Sequence, residues 1–284
     1  MRRLRANEPV EYREHPVPEC LRRQVAGLWL LRDPATPPGT QTIYPDGFCE
    51  LIVHFGTPPE CLDDRGWHAQ APTLFASQRL GPVRLRRAEP LDCLGVRLQS
   101  EASDLLGAQA LARSRERIED LAALDPALSL DLAVAARAFV GGDSASLWNL
   151  LERRCAGHVV DGAVARAVAD IRAGEGQARV EAVARDSGLA LRSLQVRFRR
   201  AVGLTLKEFS RLMRLQATLR ALDEEDGSIT DLAIDRGFSD HAHATRELRR
   251  VTGLTPARLR AALRADRDGD AAVRLAAAFV RGGS

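Results

Sequence analysis

The chain has 284 residues and a mass of 31.0 kDa, with 41 Lys or Arg against 38 Asp or Glu and a formal net charge of +3. That length supports two or three domains with cores of their own, and so small a surplus of charge does not by itself point to nucleic acid. No apolar run reaches membrane-spanning length, Met1-Arg2-Arg3-Leu4-Arg5 lacks the apolar centre of a signal peptide, and the five cysteines form no CxxC pair, so a cytosolic protein with reduced thiols is expected.

Residues 1–100 read as a β-rich unit. Glu50-Leu51-Ile52-Val53-His54-Phe55-Gly56 is a β-branched and aromatic run closed by glycine, and Val83-Arg84-Leu85-Arg86 and Leu94-Gly95-Val96-Arg97-Leu98 alternate in the manner of strands. Gly81-Pro82 and 34–39 are turn and loop signals. Short strands punctuated this way predict an antiparallel β barrel or sandwich. From 101 to 157 the texture changes to Ala, Leu and Arg with helical spacing (Leu121 and Leu124, Leu128 and Leu132, Leu147 and Leu150), a helical connector that suits dimer contacts.

Residues 158–265 predict an all-α unit, and 266–284 form a tail. The stretch 161–265 holds 19 Lys or Arg against 14 Asp or Glu, so basic charge gathers there. Lys207 is the single lysine; a G+C-rich genome accounts for the arginine bias. Within this unit the chain repeats itself. Phe198-Arg199-Arg200-Ala201-Val202-Gly203-Leu204-Thr205 returns as Leu248-Arg249-Arg250-Val251-Thr252-Gly253-Leu254-Thr255, and Ala184 with Gly188 returns as Ala233 with Gly237. A small residue at a helix crossing, a glycine in the turn and an apolar anchor in the next helix describe a helix-turn-helix. Two copies are predicted, over 180–202 and 229–251, joined by a helix over 205–222 that buries Phe209, Leu212, Gln216 and Leu219. Pro256 opens a last short helix.

In each copy the second helix has an inward face, Leu194 and Phe198 or Ala244 and Leu248. The outward stripe is Arg192, Gln195, Val196 and Arg199 in the first, and His241, Ala242, Thr245, Arg246 and Arg249 in the second. Arg can pair with guanine, Gln with adenine, and Val can pack on a thymine methyl. Arg199, Arg200, Arg249 and Arg250 lie toward the helix ends, where phosphate contacts are expected. An exposed helical stripe in any protein is polar; two in register within a repeat point to double-stranded DNA.

The block 180–260 resembles the AraC-type DNA-binding domain, most clearly in Ile229-Thr230-Asp231-Leu232-Ala233-Ile234-Asp235-Arg236-Gly237-Phe238-Ser239-Asp240 and in Gly253-Leu254-Thr255-Pro256-Ala257-Arg258-Leu259-Arg260. The resemblance implies seven helices with two helix-turn-helix units, each entering a major groove one turn from the other. Three positions depart from the pattern: Ala190 replaces a capping Ser, Val196 a usual Arg, and Ala244 a large aromatic. Tyr44-Pro45-Asp46-Gly47-Phe48-Cys49-Glu50-Leu51-Ile52-Val53 is similar to the β-rich N-terminal domain of a poorly characterised group of AraC-type regulators, which implies sensing or dimerisation. The fold class expected is α+β. The function expected is that of a sequence-specific transcriptional regulator whose partners are double-stranded DNA, a second copy of the chain, a small-molecule effector and RNA polymerase.

Glu50 and His54 share one strand face and are the ligand candidates, although Ile52 between them also fits a half-buried strand with polar ends. Cys49, Cys61, Cys93, His54 and His68 would serve a metal or thiol sensor, or a repair protein, but their spacing matches no zinc site. GxSxG, a glycine-rich phosphate loop and HExxH are all missing from the sequence, so neither an enzyme nor a cofactor is expected. A ligand-independent architectural DNA-binding protein stays open as an alternative.

Overall fold

A computed structural model describes residues 11–33, 39–87, 90–224, 227–238 and 240–265. Most of the loop 34–39, part of the acidic turn 223–227 and the tail 266–284 lie outside the described residues.

Among the described residues ten strands come first: β1 Glu11–His15, β2 Val25–Asp33, β3 Gly39–Ile43, β4 Cys49–His54, β5 Glu60–Asp63, β6 Gly66–Ala69, β7 Thr73–Ala76, β8 Val83–Arg87, β9 Leu91–Leu98 and, after an interruption, β10 Ile118–Asp120. They form two antiparallel sheets, β1-β2-β9-β4-β7-β10 and β3-β8-β5-β6. Alternation along β4 and β9 divides the larger sheet into two faces. Leu51, Val53, Leu94, Val96 and Leu98 turn one way and bury against helices. Ile52 and Cys93 turn the other way, into a cluster with Trp29 and Leu31. Gly95 lies opposite Trp29, and a Cβ added there would come within 2.2 Å of the indole. A side chain at that position is excluded because the indole occupies its volume.

The connector contains a 3-10 segment Ser100–Leu106, then α1 Ala108–Arg113, α2 Leu121–Leu124, α3 Pro126–Val140 and α4 Ser144–Cys155. Leu128, Leu132, Leu147, Leu150 and Leu151 pack on the sheet as their spacing predicts. One piece differs from the helical expectation. Ile118, Glu119 and Asp120 add an edge strand to β7, a segment too short for any periodicity to reveal.

Seven helices follow: α5 Gly162–Ala173, α6 Val180–Asp186, α7 Leu191–Val202, α8 Leu206–Glu224, α9 Ile229–Asp235, α10 His241–Thr252 and α11 Pro256–Ala265. They share one core, with Phe198 and Phe209 edge to face at 5.6 Å. Helix α8 begins in a reciprocal cap: Glu208 N donates to Thr205 Oγ1 at 3.2 Å and Thr205 N to Glu208 Oε2 at 2.8 Å.

The β region packs directly on these helices. The loop between β3 and β4 reaches α8, where the Gln216 side-chain amide donates to the Pro45 carbonyl and Gly47, at φ +85°, lies against Met213 and Phe209. Leu111 of α1 fills the space beside Gly203, and Arg115 pairs with Glu208 at 2.5 Å. No helix among the described residues is long and apolar enough to cross a membrane.

Candidate nucleic-acid interface

Both repeat copies fold as helix, turn, helix, and the glycines take the roles their positions demand. Gly188 and Gly237 turn the chain at φ +75° and +77°. Gly203 and Gly253 close α7 and α10 in the left-handed conformation, their N–H groups donating to the Arg199 and Arg249 carbonyls at 3.0 and 2.9 Å. The two second helices therefore end identically. Their starts differ. Asp240 accepts from His243 N at 2.6 Å, whereas Ala190 supplies no cap to α7.

On α7 the inward side is Leu194, Phe198, Ala201 and Val202. Arg192, Gln195, Val196, Arg199 and Arg200 are exposed, Val196 to 64%. On α10 Ala244, Leu248 and Val251 face inward, and Ala244 packs on Phe238. His241, Ala242, Arg246 and Arg249 are exposed. Thr245 is half-buried and its Oγ1 is shielded from solvent without a hydrogen-bond partner among the described residues, so it is the least available of the predicted stripe.

The spacing between the two units is held by contacts that no local sequence pattern announces. Gly176, at φ +73°, lies so close to α8 that a Cβ would meet the Ser210 carbonyl at 1.9 Å. Arg214 of α8 donates to the Gly176 carbonyl at 3.0 Å, Gln177 to the Asp235 carbonyl at 3.0 Å, and Arg236 to Glu175 at 2.8 Å. Arg211 of α8 reaches Glu247 of α10 at 2.5 Å. The turn at 174–177 joins the first unit to the second.

Glu50 and His54 are both buried in β4, which lies between β9 and β7. They do not meet. Glu50 accepts from Trp29 Nε1 at 3.0 Å and Arg97 Nε at 3.1 Å, with Asp46 3.7 Å from Arg97. Burial pushes both carboxyls up, against the opposing charge of Arg97. His54 sits at 3.2 Å from Gln70, and burial pulls its pKa down to about 4. The polar ends of the strand are thus buried, while Ile52 between them is half-buried against the cluster of Trp29, Leu31 and Cys93. Cys49 and Cys93 are buried too, and burial pushes the Cys49 thiol up to about 12. Among the described residues no three His, Cys, Asp or Glu are grouped to hold a metal ion.

Residues 183–262 match the family model of a helix-turn-helix domain. Over 82 residues, 29% of this chain and 67% of the relative, the sequence is 37% identical to PqrA of Proteus vulgaris, a probable transcription factor. Among solved structures, the chain is similar to a transcriptional regulator of Chromobacterium violaceum with an AraC-type DNA-binding domain. That match has 23% identity, covers 37% of this chain and 92% of that one, and has a TM-score of 0.34. It is also similar to ToxT of Vibrio cholerae, at 9% identity, 82% and 97% coverage and a TM-score of 0.45. The helix-turn-helix match and the PqrA relative define a DNA-binding transcription factor. The chain belongs to the AraC-type regulators.

Proposed function

We propose that this regulator reads two successive major grooves of one duplex, α7 in one and α10 in the other. What carries the reading is the pair of exposed helix faces, each flanked by the same left-handed glycine cap and rigidly spaced through Arg214 and Gly176. Arg192, Gln195 and Val196 would meet bases from α7, and His241, Ala242, Thr245 and Arg246 from α10. Arg199, Arg200 and Arg249 would hold phosphates. Selection from fragmented genomic DNA followed by footprinting tests this: two protected major-groove patches one helical turn apart, roughly 10 base pairs, are expected. A single patch would refute the two-unit reading.

The β-rich N-terminal unit, residues 1–100, is assigned to effector binding, and the connector 101–157 to homodimerisation. The first assignment is supported by the buried polar group of Glu50, Arg97 and Asp46 beside Trp29, which leads through the 44–48 loop to α8. The second is supported by Leu130 and Val134, one turn apart on α3 and 67% and 62% exposed. Sedimentation at micromolar concentration should give a dimer that Leu130→Glu dissociates; a monomeric wild type removes the dimer. The DNA-binding unit would span 158–265 in a cytoplasmic protein, with RNA polymerase as a further partner.

A further inference from the structure

We infer that the cleft between the two helix-turn-helix units is a binding site for a small amphipathic anion, an apolar body carrying one carboxylate or sulfonate. The cleft has a volume of about 600 Å³, within the range of small-molecule sites, and is walled by the turn after α5, one face of α8 and one flank of α10. Its floor is apolar, from Leu212, Leu215, Leu248 and Val251. Its cations are of two kinds. Arg211 and Arg250 are paired with Glu247, and Arg214 with the Gly176 and Gly237 carbonyls. Lys207 and Arg179 are exposed, line the same cleft and form no ion pair with any described residue.

Those features select the ligand class. A neutral apolar molecule would cover the floor and leave two cations desolvated without a counter-charge, which is costly. A compact phosphate would satisfy the cations and leave the floor wet. An apolar carboxylate or sulfonate satisfies both. A DNA backbone fits less well. The cleft takes the flank of α10 that carries Glu247, Arg250 and Val251, and at 3.6 residues per turn this is the side opposite His241, Ala242 and Thr245. A molecule seated there touches the first unit through Arg179 and the second through Val251, so its occupancy would bias the spacing between α7 and α10.

The test uses 8-anilino-1-naphthalenesulfonate as the probe, with the full chain, and follows its fluorescence. One saturable site is expected, displaced by 1-naphthoate and not by the neutral 1-naphthalenemethanol. Arg179→Gln with Lys207→Gln should weaken it about ten-fold, as lost charge-assisted hydrogen bonds would. Both cations are exposed, so the double variant should melt with the wild type; Lys207→Gln alone, about three-fold weaker, repeats the measurement with the smallest perturbation. Unchanged dye affinity in these variants, or equal competition by the alcohol, overturns the inference. Stoichiometric displacement of the dye by duplex DNA would assign the cleft to the phosphate backbone and overturn it as well. DNA affinity measured in the same samples keeps this result separate from the fate of the two-groove reading.

Discussion

The Arg172 guanidinium carbon lies 4.2 Å from the centre of the Phe48 ring and 5.5 Å from that of Phe209. Phe48 follows the β3–β4 loop and Phe209 lies in the first turn of α8, so one cation on α5 joins the sheet to the helices proposed to face DNA. Arg172 also donates to Ser100 Oγ at 2.8 Å, and that hydroxyl donates to the Gly47 carbonyl at 2.6 Å. Arg172→Ala removes two ring contacts and leaves Ser100 with one partner fewer. A loss of about 2 kcal/mol in urea unfolding is expected, with Arg172→Lys recovering only part because an ammonium lacks the planar fork. Superimposable unfolding curves for wild type and Arg172→Ala would deny the junction any energetic role.

Gly95→Ala tests the seat of Trp29. The added methyl would overlap the indole, and its relief must displace a ring that is 3% exposed and bonded to Glu50. We expect a loss of at least about 3 kcal/mol together with a change in the near-ultraviolet signal of tryptophan. Wild-type stability in this variant would mean that the indole lies elsewhere.

Helix α7 begins at Ala190 in an extended conformation with no side-chain cap. Ala190→Ser is expected to stabilise the protein by about 1 kcal/mol, because a hydroxyl can accept one of the helix's free N–H groups. Thermal unfolding measures it, and a lowered midpoint would show that the start of α7 cannot accommodate the cap.

These elements differ in how far the sequence disclosed them. The repeat exposed both helix-turn-helix units, since Gly203 and Gly253 stand at the same step of the same local motif. The inward faces followed from spacing of three and four. The Arg172–Phe48 junction, the Arg214 bond to Gly176 and the Glu50–Arg97 pair were not legible, because each joins segments far apart in the chain and no local period encodes the partner. Gln216 is instructive: its spacing placed it inward on α8, yet only the fold reveals that its amide is there to meet Pro45.

His54 should make stability depend on pH in a defined window. Its folded pKa is about 4 and its ordinary value is 6.5, so between these the unfolded chain binds a proton that the folded chain does not. Stability from this group is complete above about pH 6.5 and is lost on acidification, by about 3 kcal/mol at the lower end. His54→Gln preserves a donor toward Gln70 and removes the titration. The stability difference between wild type and variant should therefore change between pH 7 and pH 4.5 to the disadvantage of the wild type. A difference that stays constant contradicts the buried neutral imidazole.

Competition binding at two salt concentrations separates base reading by α10 from phosphate holding by the end of α7. Arg246 and Arg200 are both exposed, on different second helices. Titrations against single-base variants of a selected site should show Arg246→Ala losing about 1–3 kcal/mol and relaxing preference at one base pair. Arg200→Ala should weaken every sequence alike and reduce the salt slope by about one. If Arg246→Ala weakens all sequences equally and leaves base preference intact, that face of α10 does not read DNA as proposed.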